Sequence, residues 1–432
     1  MIKSADTRPR TFLILQGPPS RFCRHLGDGL RARGHTCLRI NLCAADFFMW
    51  MGRPAYNYTG KFKHFAGYLE QFVEAHGVTD ILYYADRLPY HRVAADVARA
   101  RGIRTFTYEF GYLRPDWITL ECNGMSSQSH FPEDPVHILK AAEGLSEPQT
   151  GPFNSFTFQQ EALHEVIFHL VNYFVRIPFI HYRRDRYYSE LVEYLCYIPK
   201  LLTADRRQRR AEATVLRLTQ HKVKYFLYAM QMQNDYQLRA NSPYRLQETA
   251  LCEVIASFAA NADQKSELVF KVHPLDNGME PWEKIIADAA SAHGVGARVH
   301  FIEGGDLGAL LSGAAGLLMI NSTTALQALR LNCPVKVLGM AIYDIRGLTH
   351  QGKLDDFWRD PTRPDAALRD AFFRLLAATI QVRGNFYNPV ARAHAIVEMV
   401  DRLEANRVNQ PGAYVDPPPR LERARQLGVP FA

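Results

Sequence analysis

The sequence predicts an α/β protein of two Rossmann-like domains facing a cleft, with an inserted or bridging helical segment. Three observations predict it. Short apolar runs alternate with helical patterns four times in about the first 110 residues, the signature of a parallel sheet covered on both faces. A second alternating series starts at Lys224. Between the two lies a long aromatic and basic stretch of helical character. With 432 residues the chain exceeds one ordinary core, so two domains are expected. The expected partition is 1–150, a bridging segment 151–220, a second domain 221–400 and a tail 401–432.

Composition narrows the function classes. Apolar residues are 47% and charged residues 22% of the chain, ordinary for a globular protein. The net charge of +7 suits phosphate-bearing ligands or an anionic membrane surface. No strand-borne basic and aromatic signature of an RNA binder accompanies it, so no nucleic-acid partner is expected. The seven cysteines are scattered and never spaced as CxxC, which argues against a disulfide framework and a zinc site. The opening residues MIKSADTRPR lack the apolar core of a signal peptide, and no run of 18 apolar residues occurs, so a cytoplasmic protein without a transmembrane helix is expected.

In chain order, the run 11–15 ends in Gln16-Gly17-Pro18-Pro19, and Phe22, Leu26 and Leu30 then recur at helical spacing up to Gly34. Residues 36–40 form the next strand. The loop is not GxGxxG, and Pro18 and Pro19 have no N–H to offer a phosphate, so Gln16, Gly17 and Pro18 are expected to line a substrate instead. The aromatic segment 41–63 reads either as a packed connection or as a loop closing over a ligand. A helix over 65–75, a strand over 80–84, a helix over 92–100 and a strand over 103–106 follow.

Residues 107–121, TYEFGYLRPDWITLE, concentrate polar chemistry where open α/β sheets bind ligands, beyond a strand's carboxyl end. Glu109 and Asp116 are the candidate carboxylates, with Gly111 and Arg114 between them; a surface loop roofing the core is the competing reading. Residues 123–151 read as a connection and 158–202 as helix throughout. That aromatic and arginine-rich helical run suits either a membrane interface or a core helix pair. Strands are expected over 225–229, 267–272, 298–302, 316–320 and 334–338, with helices over 250–260, 283–292 and 324–331. The proline-rich tail after Asn409 is expected to lie extended over the surface.

Four constellations in the second series carry chemistry. Lys271-Val272-His273-Pro274 ends a strand, and the proline keeps His273 out of the helical region. Asn321-Ser322-Thr323-Thr324 leads from a strand into a helix, as either a simple cap or an anion site. Gln231, Asp235 and Gln237 follow another strand and suit sugar hydroxyls or a polar turn. Gly339 opens a glycine-punctuated loop that offers Asp344 and His350 to a ribose or base.

QGPP, YEFGYLRPDWITLE, QxxxDYQLRANSPY, KVHP, NSTTALQAL and VLGMAIYDIRGLTHQG, in order from about residue 12 to 360, resemble the KpsS/LipA-like family of capsular polysaccharide proteins. The resemblance implies a GT-B fold and a retaining β-Kdo transferase. Such an enzyme moves the acidic sugar Kdo from CMP-β-Kdo to a phosphatidylglycerol or lysophosphatidylglycerol acceptor at the cytoplasmic face of the inner membrane. That step starts the poly-Kdo linker of a Gram-negative capsule. It makes 1–150 the acceptor side and 221–400 the nucleotide-sugar side. CMP-Kdo is a substrate; no cofactor or metal is implied, and other capsule biosynthesis and export proteins are the implied partners. Lys271, His273, Pro274, Asn321–Thr324, Gly339 and Asp344 would hold the nucleotide, with Gln16, Gly17, Pro18, Gly111, Arg114, Gln231, Asp235 and Gln237 around the sugar or acceptor. The family's acidic motif falls on Glu109, with Asp116 as fallback and His273 assisting. The sequence departs from the family at Phe110, where members often carry a second acid. A non-catalytic capsule assembly or export partner, or an epimerase or hydrolase on the same fold, are the alternatives.

Overall fold

The computed structural model describes residues 8–185 and 187–430; most of the opening segment on which the signal-peptide reading rests lies outside the described residues. The strands are β1 (Thr11–Ile14), β2 (Thr36–Asn41), β3 (Tyr56–Asn57), β4 (Asp80–Tyr84), β5 (Arg104–Phe110), β6 (Trp117–Cys122), β7 (Tyr225–Ala229), β8 (Glu267–Lys271), β9 (Val299–Ile302), β10 (Gly316–Met319), β11 (Val335–Val337) and β12 (Gln381–Arg383). They form two sheets in two compact units. The first unit comprises the chain up to Pro132, Gly144–Asp185 and Phe373–Pro419; the second comprises Glu133–Glu143, the chain on to Phe372, and the residues from Arg420 onwards.

The first unit holds a sheet of order β12-β6-β5-β4-β1-β2-β3. β1 to β5 run parallel, β6 turns back antiparallel to β5, and β12 returns antiparallel on β6. Alternation along β1 explains why both faces are covered. Phe12 and Ile14 enter a core with Phe22, Leu26, Leu30 and Met399, whereas Leu13 and Leu15 enter a second core with Phe65, Leu69 and Val97. Each fully buried Leu, Ile or Phe contributes about 1.5–3 kcal/mol of transfer free energy. The helix Phe22–Ala32 ends at Gly34, whose φ of +85° suits a residue without Cβ.

The second unit holds an all-parallel sheet of order β11-β10-β7-β8-β9. Phe226, Tyr228, Leu268 and Phe270 pack against Val254, Phe258, Ile286 and Trp358. In each unit the chain winds outwards from a first strand, then crosses to that strand's other side: β4 lies beside β1, and β10 beside β7. Such reversals are the topological switch points where open α/β sheets bind ligands.

The structure corrects several expectations. The segment Phe373–Pro419, expected to fall mainly in the second domain, belongs to the first unit: β12 pairs with β6, and the helix Pro389–Glu404 packs on Phe22–Ala32. The bridging segment is divided between the units at Asp185. Residues 107–121 form a hairpin rather than a loop, because β5 runs on to Phe110 and pairs with β6. The helical run is broken between Phe158–Phe174 and Glu190–Leu202. The aromatic segment contains a helix, Ala44–Trp50. The tail is tied down, with Tyr414 stacked on His130 at 4.2 Å and a short helix Leu421–Gln426 beyond it.

Candidate functional site

At the switch point of the second unit, Gln231 follows β7 and Asn321 follows β10. Gln231 Nε2 donates to Asn321 Oδ1 at 2.9 Å, and Asn321 N–H donates to Gln231 Oε1 at 3.0 Å. Gln231 Nε2 also reaches Asp235 Oδ2 at 3.1 Å. Asn321 Nδ2 donates to the carbonyls of Gln237 and Asn241, and Asn241 Nδ2 to Gln237 Oε1. Asp235 caps the helix Tyr236–Ala240 through Gln237 N–H at 2.8 Å; burial pushes its carboxyl up, countered by Gln231. Gln231, Asp235 and Gln237 therefore form the scaffold of the site, bound to one another.

Donor groups surround that scaffold. Ser322 Oγ accepts from Thr324 N–H at 3.2 Å, while among the described residues the N–H groups of Ser322 and Thr323 donate to no protein acceptor. Lys271 ends β8, beside β7. It is 8% exposed, and its Nζ makes no hydrogen bond or ion pair among the described residues. Burial pushes its pKa down, with Asp306 opposing. His273 Nδ1 accepts from Leu275 N–H at 3.1 Å, which leaves the neutral ring's proton on Nε2. Pro274 follows in the turn closed by Asp276 N–H to the His273 carbonyl. Gly339 brings the next loop against this point; a Cβ there would meet Ser242 Cβ and Ile320 Cγ2 at 2.9 Å.

Asp344 departs from its expected ribose role. Its carboxylate accepts from Thr349 Oγ1 at 2.6 Å, Gln351 Nε2 at 3.0 Å and the Arg423 guanidinium. It ties its own loop to the helix Leu421–Gln426. His350 is likewise buried, with Nδ1 3.0 Å from Thr362 Oγ1.

In the first unit, Gln16 follows β1 and pairs with the Tyr182 hydroxyl at 3.1 Å. Gly17 is a packing requirement, since a Cβ there would lie 2.0 Å from Cys23 Sγ. Pro18 lines a small void with Ser20, Arg39 and Asp46; the buried Arg39–Asp46 pair closes at 2.8 Å, and Arg39 also donates to the Leu15 carbonyl. Gly111 lets the hairpin close, because a Cβ would meet the Trp117 backbone at 2.5 Å.

Glu109 lies near the end of β5, opposite Thr119. Its charge is felt by Tyr84, whose hydroxyl is pushed well up by burial first and by Glu109 next. Arg114 sits 5.0 Å over the Phe110 ring. Its desolvation is opposed by the carboxylates of Glu161 and Glu109. Phe110 itself packs on Phe386 at 5.3 Å. Asp116 is spent on structure: it is buried, and it accepts from Phe153 N–H at 2.9 Å, Ser155 Oγ and Asn385 Nδ2 at 2.9 Å. The sequence reading missed Glu161, Glu165 and Tyr387. Burial and Glu165 push the Glu161 carboxyl up, and burial followed by these two carboxylates pushes the Tyr387 hydroxyl up. The Glu161/Glu165 spacing on one helix face was the available signal, but nothing local tells which strand that helix meets.

The fold and these strand-end clusters define a two-unit α/β protein with Rossmann-like sheets and cationic, hydroxyl-bearing groups at a switch point. A family model described as capsule polysaccharide biosynthesis protein matches residues 79–387, and the chain belongs to that family. The capsule polysaccharide export protein KpsS of Escherichia coli is 31% identical over 388 residues, covering 88% of this chain and 97% of that one. The capsule polysaccharide modification protein LipB of Neisseria meningitidis serogroup A is 29% identical over 402 residues, covering 90% and 94%. Among solved structures, the Thermosulfurimonas dismutans KpsC β-Kdo 2,7 transferase aligns over 91% of this chain and 99% of its own at 13% identity, with a TM-score of 0.44. No helix among the described residues is long and apolar enough to cross a membrane.

Proposed function

We propose that the protein is a retaining β-Kdo glycosyltransferase that moves Kdo from CMP-β-Kdo to a phosphatidylglycerol or lysophosphatidylglycerol acceptor, peripherally bound at the inner membrane and working beside other capsule biosynthesis and export proteins. The observation that carries the reading is Lys271, a cation buried beside a switch point without an ion pair among the described residues. A buried charge kept without a partner calls for an anionic ligand, and a nucleotide phosphate supplies one. The N–H groups of Ser322 and Thr323 add donors for the same phosphate, with His273 beyond the end of β8 as a further contact to departing CMP.

In this reading Glu109 is the carboxylate of the first unit, since Asp116 is committed to loop ties. Retention follows if Glu109 attacks the anomeric carbon: the C–O bond to CMP breaks as the glycosyl ester forms, and the acceptor hydroxyl then displaces Glu109 with loss of its proton. A same-face reaction in which Glu109 takes the acceptor proton uses the same residue. Arg114 suits the Kdo carboxylate. Glu161, whose carboxyl burial holds up, stands in for the acid absent at Phe110.

The test is incubation with CMP-Kdo and a fluorescent lysophosphatidylglycerol, followed by mass analysis. Kdo added to the lipid with release of CMP is the expected result. CMP release without lipid modification would indicate a hydrolase, and neither product would indicate an assembly partner.

A further inference from the structure

The first unit carries a cavity that the proposed chemistry does not use. It lies just past the helix Phe158–Phe174, has a volume of about 220 Å³, and is lined by Asn172, Arg176, Phe179, Ile180, Tyr182 and Arg184. Its two guanidiniums are held by the main chain at the helix end: Arg176 Nε donates to the Tyr173 carbonyl at 3.3 Å, and Arg184 Nη2 to the Asn172 carbonyl. Terminal helix carbonyls are natural partners for arginine, and using them leaves carboxylates out of the arrangement at Arg176, which makes no ion pair among the described residues. The wall is anchored by Tyr182, bonded to Gln16 and stacked on Tyr90 at 5.8 Å, and by Asn172, which accepts from Ala45 N–H at 2.9 Å.

Around the mouth the chain is unusually apolar for a surface. Phe174 is 69% exposed, Ile177 81% and Ile180 62%. Three large apolar side chains within seven residues, beside two guanidiniums, match the chemistry of a bilayer interface, where apolar groups enter the acyl region and arginines meet lipid phosphates. A soluble anion accounts for the arginines and leaves the apolar rim unexplained.

We propose that this pocket seats the phosphate of an anionic phospholipid while Phe174, Ile177 and Ile180 enter the bilayer. The proposal rests on the reading above only for membrane association, and it is independent of the transfer reaction.

The experiment is sedimentation of the full chain with vesicles of phosphatidylcholine alone and with one third phosphatidylglycerol, for the wild type, Arg176→Gln/Arg184→Gln and Ile177→Ser/Ile180→Ser. Near an anionic surface each arginine contributes about fivefold to partitioning, so the double arginine variant is expected to lose roughly 25-fold on anionic vesicles at low salt. The isoleucine variant is expected to lose binding with little change in salt dependence. Circular dichroism checks that both remain folded, and Ile177, the most exposed of the three, is also changed alone. A wild type that sediments with neither vesicle overturns membrane association itself. Wild-type binding that both variants retain, or that only Leu201→Ser/Leu202→Ser on the helix Glu190–Leu202 abolishes, overturns this site.

Discussion

Gln231 and Asn321 hold each other twice, side chain to side chain at 2.9 Å and side chain to backbone at 3.0 Å. The pair locks the end of β7 to the end of β10. Gln231→Leu leaves the Asn321 N–H and side-chain Oδ1 without their partner in a partly buried site, so it is expected to destabilise the fold by about 2–4 kcal/mol. Urea unfolding measures it, and a loss below the error of that measurement would show the pair to be replaceable.

Glu109 and Asp116 should separate cleanly. Glu109→Gln is expected to lower transfer on the order of 10⁴-fold, as loss of a nucleophile does. Asp116→Asn turns an amide toward the Phe153 N–H and Ser155, so about 2–3 kcal/mol of stability is expected to go while folded molecules keep their turnover. Single-turnover rates normalised to folded protein distinguish the two.

Lys271→Met removes a buried charge that makes no hydrogen bond or ion pair among the described residues. Stability is expected to stay level or rise by about 1 kcal/mol, while the donor KM rises about 10- to 100-fold through loss of a charge-assisted contact. Because burial lowers the Lys271 pKa, wild-type donor affinity should fall on the alkaline side before an ordinary lysine titrates. The Met variant should lack that limb.

His91 is fully buried, with Nδ1 2.9 Å from the Ala85 carbonyl, and burial lowers its pKa to about 4. The native state keeps the ring neutral while the unfolded chain takes up a proton near pH 6.5, so its share of stability is present above that pH. That share is lost as pH falls to about 4, amounting to about 3 kcal/mol at the bottom. Denaturant unfolding at several pH values should show a slope one proton shallower in His91→Gln.

Much of the fold was legible because periodicity is a local property. The strands Asp80–Tyr84 and Tyr225–Ala229 and the helix Phe65–Ala75 stand where the apolar pattern puts them. Residues 107–110 read as loop because Tyr108, Glu109 and Phe110 break the apolar run, yet pairing with Leu120, Thr119 and Ile118 makes them strand. The site was legible in part: Lys271, His273 and the Asn321–Thr324 turn stand at strand ends as expected. Asp116 and Asp344 could not be told from ligand-binding carboxylates, since their partners lie at Asn385 and Arg423.

By itself the sequence determined the two winding series and the polar residues at their strand ends, because burial alternation and turn chemistry are written in neighbouring residues. Only the tertiary structure decided that β12 returns to β6, that Glu161 joins the surroundings of Arg114, and which carboxylates are consumed as ties. Hydrogen-bond pairing across hundreds of residues depends on which surfaces meet, and no local pattern encodes that.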